Sequence, residues 1–319
     1  MATAAENTPI RRSLRRRGLK LDFFLVLTWV AAVATVASLV WIVSSILQAA
    51  LPAIQKEGVN FFTSAVWDNN RERFGALPFL FGTGISSLIA LLFALPLGVF
   101  IAIFLSENFL PVPIRQTIRF VVELLAAIPS VVYGLWGIAV VIPLIQQIGN
   151  AVTPWLGWIP IFSGPAFGNS MLTASLVLAL MVLPTITAIS RTALVAVPKT
   201  LREGSYALGA TRWETIFGVI LPTAAPGIVA ATILAFGRAM GETMAVAMLI
   251  GNSPRLAWSL FSPAGTLAGL LANQFGEATG LQVAALMYAA LSLVVLTLIV
   301  NVIGEAVLRH AQKATAGVR

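Results

Sequence analysis

Cysteine is absent from the 319 residues, which excludes disulfides, thiolate catalysis and cysteine-ligated metals. Histidine occurs once, as His310, so a histidine metal cluster is excluded as well. Charge is scarce: Asp, Glu, Lys and Arg make up 10% of the chain, against about 25% in an ordinary soluble domain. A phosphate loop of the form G-x-x-x-x-G-K-[ST] is missing too, so the chain is not expected to be an enzyme that hydrolyses nucleotide. No cofactor is expected on it, and any ATP would be bound by a partner.

What is present is apolar. Hydrophobic residues form 58% of the chain and the mean hydropathy is +0.92, more than one soluble core can hide, so the protein belongs in a bilayer in contact with lipid. The net charge of +8 does not point to nucleic acid. A nucleic-acid binder gathers its basic residues on a solvated face, whereas here they flank apolar runs.

A helix needs about 20 apolar residues to cross the hydrocarbon layer. Runs of that length fall roughly at 23–48, 80–105, 117–145, 170–190, 227–250 and 282–307, predicting an all-α integral membrane protein with six transmembrane helices. The first run is too long for a signal peptide and lacks a small-residue cleavage site. Basic residues set the orientation, because cytoplasmic loops retain Lys and Arg. With the N-terminus inside, the inner set is Arg11, Arg12, Arg15, Arg16, Arg17, Lys20, Arg115, Arg119, Arg191, Lys199, Arg202, Arg212, Arg309, Lys313 and Arg319, and the outer set only Lys56, Arg71, Arg73 and Arg255. Both termini are therefore expected in the cytoplasm. The expected organisation is a basic tail at 1–22, a first helix at 23–48, an external loop at 49–79, a five-helix core at 80–308 and a second tail at 309–319. A further external stretch, 149–169, has no charge and holds Trp155 and Trp158, which suits the headgroup boundary.

The inner loop at 198–222 has its own grammar. Pro198 can open a short helix and Gly209 can end it in a left-handed cap. Thr211 followed by Glu214 fits a capping box that starts a second helix. Leu201, Ser205 and Leu208 are expected on one face of the first helix, with Lys199, Arg202, Glu203 and Tyr206 supplying polar contacts elsewhere. Such a helix suits either a groove in a soluble partner or the surface of the inner leaflet.

Arg238 falls within a span. Eleven residues after Gly227, it lies about 16 Å into a layer roughly 30 Å thick, at a cost of about 2.5–3.5 kcal/mol on insertion scales. Glu242 is expected one turn further along the same face. The pair reads either as an oxyanion site, with Arg238 offering its planar fork of donors, or as a structural ion pair. Gly237 and Gly241 give a G-x-x-x-G spacing for close helix approach. Met240, Met244 and Met248 form a stripe read as packing. In the third span Pro129 removes a helix hydrogen bond, and Ser130 and Tyr133 can satisfy the freed groups or line a pathway. Glu123 either snorkels to the inner interface or joins the pathway.

Glu203, Gly209 and the closing Leu221-Pro222 resemble the EAA loop of bacterial ABC importer permeases, although Gly204 and Ser205 stand where the general pattern has alanines. Three further stretches are similar to permeases of phosphate ABC importers: R-F-G-A-L-P-F-L-F-G-T at 73–83, V-E-L-L-A-A-I-P-S-V-V-Y-G-L-W-G at 122–137 and G-R-A-M-G-E-T-M-A-V at 237–246. The first two favour the PstC family over its PstA partner family. The resemblance implies a type I importer permease with a cytoplasmic coupling helix. Its implied partners are an ATP-binding subunit dimer, a second, PstA-like permease subunit and an external phosphate-binding protein, and its implied substrate is phosphate. It also implies that Arg202, Glu203, Tyr206, Ala207, Gly209 and Ala210 serve ATPase coupling. A permease for another oxyanion, an ion-coupled secondary anion transporter and a membrane scaffold that recruits a signalling protein are the alternatives.

Overall fold

A computed structural model describes residues 23–316 apart from Asn108 and Ala257. The basic tail at 1–22 and Arg319, on which part of the expected orientation rests, lie outside the described residues. The chain divides into two compact units, Met1–Ser45 and Ile46–Arg319.

Six helices among the described residues are long and apolar enough to cross a membrane: Phe24–Glu57, Leu77–Ser106, Ser130–Leu156, Met171–Val195, Arg212–Met240 and Leu281–Lys313. The number expected from hydropathy therefore holds, but several boundaries move. Helix α1 (Phe23–Glu57) continues past the predicted end at 48. Segment 49–79 is consequently not one loop. It holds the end of α1, a short helix α2 (Asn60–Thr63) and a two-stranded hairpin of β1 (Trp67–Asp68) and β2 (Arg73–Phe74), with Trp67 opposite Phe74.

Helix α3 (Leu77–Ser106) buries its small residues, Ser86, Ser87, Ala90, Ala94, Gly98 and Ala102, at helical spacing. Gly82 shows why size matters here: a Cβ would run into the Gly265 carbonyl. Next to it Thr83 Oγ1 donates to the Phe79 carbonyl at 2.7 Å and accepts from the Leu267 backbone N–H at 2.9 Å, which ties α3 to a distant segment inside the core.

The predicted third span, 117–145, is corrected. Helix α4 (Val112–Ala127) is separate and amphipathic, and Ile128 turns extended (φ −69°, ψ 128°) ahead of Pro129, as the clash of a proline ring with the preceding residue requires. The crossing helix starts after the break, as α5 (Ser130–Trp136), a wide turn at 137–141 and α6 (Ile142–Leu156). Its far end carries Trp155, with Trp158 just beyond, both largely exposed.

Helix α7 (Met171–Val195) is the most enclosed of the crossing helices, burying residues from Met171 to Leu194. Helices α8 (Lys199–Ala207) and α9 (Arg212–Thr215) form the inner loop. A wide turn at 216–220 then feeds α10 (Leu221–Met240). The predicted fifth span, 227–250, is corrected: α10 stops at Met240, and a separate α11 (Met244–Leu249) follows. Helices α12 (Leu267–Gln274) and α13 (Leu281–Ala316) complete the described chain.

Three buried clusters organise the second unit. The largest joins α3, α5, α6, α7, α10 and α11. A second joins the end of α1, the hairpin, α12 and the start of α13, with Tyr288 stacked on Phe61 at 4.1 Å. The third, comprising Ala102, Ile103, Leu194, Val197, Ile216, Ile220 and Ala224, lies where α3, α7 and α10 meet the inner loop.

Candidate coupling surface and membrane charge site

The inner loop adopts the helix, sharp turn, helix arrangement that its residues specify. Pro198 is the N-cap residue of α8. Gly209 takes φ +87°, with its N–H bonded to the Tyr206 carbonyl and that of Ala210 to the Ser205 carbonyl, so the left-handed turn satisfies carbonyls left free by the helix end. The capping box is complete: the Glu214 N–H donates to Thr211 Oγ1 at 3.4 Å and the Thr211 N–H to Glu214 Oε2 at 2.7 Å.

The faces of α8 differ from those expected. Ser205 is not on an outward face with Leu201 and Leu208, because its hydroxyl bonds Thr215 Oγ1 at 2.9 Å. Arg202, expected to supply a polar contact alongside Lys199, Glu203 and Tyr206, turns inward. Its Nη2 donates to the Leu194 carbonyl at 2.7 Å and lies 3.3 Å from Glu107 Oε1. The exposed residues are Lys199, Thr200, Leu201, Glu203, Gly204, Tyr206, Ala207 and Leu208, with Leu208 92% exposed. A cavity of about 310 Å³ opens beside α8, lined by Glu107, Lys199, Arg202, Glu203, Tyr206 and Arg212 among others. Glu107 is a functional candidate that sequence reasoning missed. A lone carboxylate ending an apolar run was the available signal.

Arg238 belongs to α10, and its depth follows from packing. A Cβ at Gly227 would meet the Ala193 side chain, so Gly227 is level with the last turns of α7. Eleven residues on, Arg238 is about 16 Å further along, near the middle of the 25-residue α7. Arg238 is exposed, and its guanidinium makes no hydrogen bond or ion pair among the described residues.

The expected partnership with Glu242 on one helical face is corrected. The helix ends at Met240, Gly241 caps it, and Glu242 lies in the break before α11, with its N–H on the Ala239 carbonyl. No Arg238–Glu242 ion pair forms among the described residues. Gly237 does face α13, where a Cβ would be 3.4 Å from Asn301 Oδ1. Gly241 would meet only its own helix and serves the break instead. The same break divides the methionine stripe: Met240 is buried, Met244 is exposed, and the Met248 sulfur packs over Gly134. Asn301, an exposed amide level with Arg238, was also missed. It is the one asparagine in the last apolar run, and that was its signal.

The second helix break lies close by. Helix α11 packs on α5, with Gly134 against Ala245 and Met248 and Gly137 against Leu249. Tyr133 lies within electrostatic reach of Arg238, so the Pro129 break and the Gly241 break meet beside one positive charge. Pro129 has no N–H to offer the Leu125 carbonyl four residues back. The Tyr133 hydroxyl supplies the missing donor at 2.8 Å. Ser130 opens α5 without a side-chain capping bond. Glu123 is exposed on α4 and pairs with Arg119 at 2.7 Å. Tyr133→Phe is expected to leave that carbonyl unsatisfied and lower stability by about 1–3 kcal/mol. Thermal unfolding in detergent measures this, and an unchanged midpoint would contradict the assignment.

The model of the family described as "Binding-protein-dependent transport system inner membrane component" matches residues 94–315. The chain is 41% identical over 311 residues to the phosphate transport system permease protein PstC of Xylella fastidiosa strain Temecula1, covering 95% of this chain and 94% of the relative. It is 39% identical to the PstC of Mesorhizobium japonicum, covering 99% of both. Among solved structures it resembles a chain of a bacterial alginate ABC transporter in complex with an alginate pentasaccharide-bound periplasmic protein. The TM-score is 0.59 at 15% identity, over 90% of this chain and 95% of that one, a likeness of fold.

Proposed function

We propose, from the premise that this chain belongs to the family of binding-protein-dependent transport system inner-membrane components, that it is the PstC-type permease subunit of an ATP-driven phosphate importer. It is a multi-pass membrane protein with the type I ABC importer permease fold. In the proposed assembly it forms half of the pathway, with a PstA-like permease as the other half. Two ATPase subunits dock on the cytoplasmic face, and an external binding protein delivers phosphate. Both termini are cytoplasmic in this arrangement.

The observation that carries the reading is Arg238: an exposed guanidinium, free of hydrogen bonds among the described residues, at mid-depth where two helix breaks converge. A charge that serves only structure is expected to be paired. An unpaired one offers its donors to an anion. Tyr133, Glu242 and Ser130 are the neighbouring groups assigned to the pathway, with Glu242 weakening anion retention so that the ion can leave. Glu123 is set aside from the pathway by its exposed pairing with Arg119. Glu203, Tyr206, Ala207 and Leu208 are assigned to the ATPase contact, with Gly209 and Ala210 shaping the turn.

Reconstitution with the ATPase, the second permease and the binding protein in phospholipid vesicles provides the test. Labelled phosphate is expected to enter only with ATP. Uptake on a proton gradient without ATP would overturn the proposal in favour of a secondary transporter.

A further inference from the structure

We infer that Arg202 is a positioning residue that straps the coupling helix to the inner ends of α3 and α7, giving it a route to the membrane core beside its covalent links to α7 and α10. The inference rests on the reading of α8 as the ATPase-docking helix. Three observations carry it.

The first is geometry. One guanidinium nitrogen of Arg202 serves two helix ends: it donates to the Leu194 carbonyl in the last turn of α7 at 2.7 Å and lies 3.3 Å from Glu107 Oε1, on the residue that ends α3. The Leu194 carbonyl also accepts the Val197 N–H at 3.3 Å, so Arg202 adds a charge-assisted bond at the end of α7 while reaching α3.

The second is burial. The Arg202 and Glu107 side chains are only 19% and 13% exposed. Neither Arg202 Nε nor Glu107 Oε1 has a hydrogen bond among the described residues, so the pair depends on the attraction of opposite charges in a poorly solvated place. Removing either member leaves the other uncompensated, which is far more disruptive than losing an exposed ion pair.

The third is the weakness of α8 alone. Nine residues are too few for a stable isolated helix, and its outer face is exposed. Among the described residues, the side-chain hydrogen bond of α8 apart from those of Arg202 is Ser205 to Thr215, within the inner loop itself. An aromatic series runs alongside, with Phe104–Phe109 at 5.5 Å, Phe109–Trp213 at 5.0 Å and Trp213–Phe217 at 5.8 Å. It joins α3 to α9 and the wide turn, not to α8. Without the strap, displacement of α8 would reach the core only along the chain, through residues 196–198 into α7 and through α9 into α10. With the strap, α3 moves with it as well and the end of α7 is held at a second point, while α7 contacts α10 at Ala193 and Gly227.

Arg202→Gln, Glu107→Gln, Arg202→Lys and the double Gln variant test this in the complete importer. ATPase co-purification and ATP hydrolysis are expected to remain within about twofold of wild type, while phosphate moved per ATP falls about tenfold in each Gln variant and no further in the double variant. Arg202→Lys is expected to fall between, because a Lys head lacks the planar fork. Independently of transport, hydrogen exchange of the α8 amides is expected to quicken about tenfold in Glu107→Gln, whose substitution lies outside α8. Unchanged α8 exchange, or an unchanged transport-to-hydrolysis ratio in Glu107→Gln, overturns the strap. Loss of ATPase binding in Arg202→Gln alone also overturns it, by making Arg202 a direct contact. A wild-type complex that moves no phosphate with ATP overturns the functional reading instead, and the exchange measurement still decides the strap.

Discussion

Arg238→Gln is expected to reduce ATP-driven phosphate uptake by at least about a hundredfold, with assembly intact. The expected loss follows from the charge-assisted hydrogen bonds that a guanidinium makes to an oxyanion, which an amide cannot replace. Two such bonds in a place of low dielectric account for roughly 3 kcal/mol or more, and each 1.4 kcal/mol is tenfold. Intact assembly follows from the surroundings. Arg238 is exposed and makes no hydrogen bond or ion pair among the described residues, so its removal breaks no contact of the fold. Uptake into vesicles and size-exclusion chromatography of the complex check the two halves separately. Normal uptake removes Arg238 from the mechanism, and failed assembly makes it structural. Arg238→Lys is expected to recover part of the uptake, since it keeps the charge and loses the fork.

Leu208→Asp is expected to abolish ATPase association, and Glu203→Lys to weaken it by at least about thirtyfold, while neither changes the stability of the isolated permease by more than about 0.5 kcal/mol. Leu208 is 92% exposed, so it contributes almost nothing to this chain's own core. Burying such a side chain in a partner's groove is worth about 1.5–3 kcal/mol, and introducing a carboxylate there adds an unpaired charge. Glu203 is exposed beside the cavity, and reversing its charge replaces attraction by repulsion at whatever basic group it meets. Co-purification with the ATPase and the unfolding midpoint are the two measurements. Unchanged co-purification in both variants favours an α8 that lies on the inner leaflet.

Much of the inner loop was readable because its determinants are local. A proline fixes its own φ, a glycine permits the left-handed turn, and the Thr211 to Glu214 box closes over three residues. Hydropathy located the crossing segments for a similar reason, since lipid acts on each stretch of chain separately. The faces of α8 were less readable. Spacing placed Ser205 with the outward leucines, but Thr215, ten residues on, decided otherwise. Arg202 was assigned to a partner protein because Glu107 lies 95 positions earlier and no local pattern connects them. The Arg238 and Glu242 pairing failed for another reason: one turn of spacing assumes a continuous helix, and the chain breaks after Met240.

The chain itself determined that it crosses a membrane, that six segments are apolar enough to cross, that Arg238 falls within one of them and how the inner loop turns. Each of these depends on residue type and on neighbours within a few positions. Only the tertiary structure decided that α4 is separate from the span after it, that the Pro129 and Gly241 breaks meet beside Arg238, and that Arg202 grips two helix ends. These depend on which distant backbone carbonyls and carboxylates come within about 3 Å of a donor, and folding alone brings residues 107, 194 and 202 to one place.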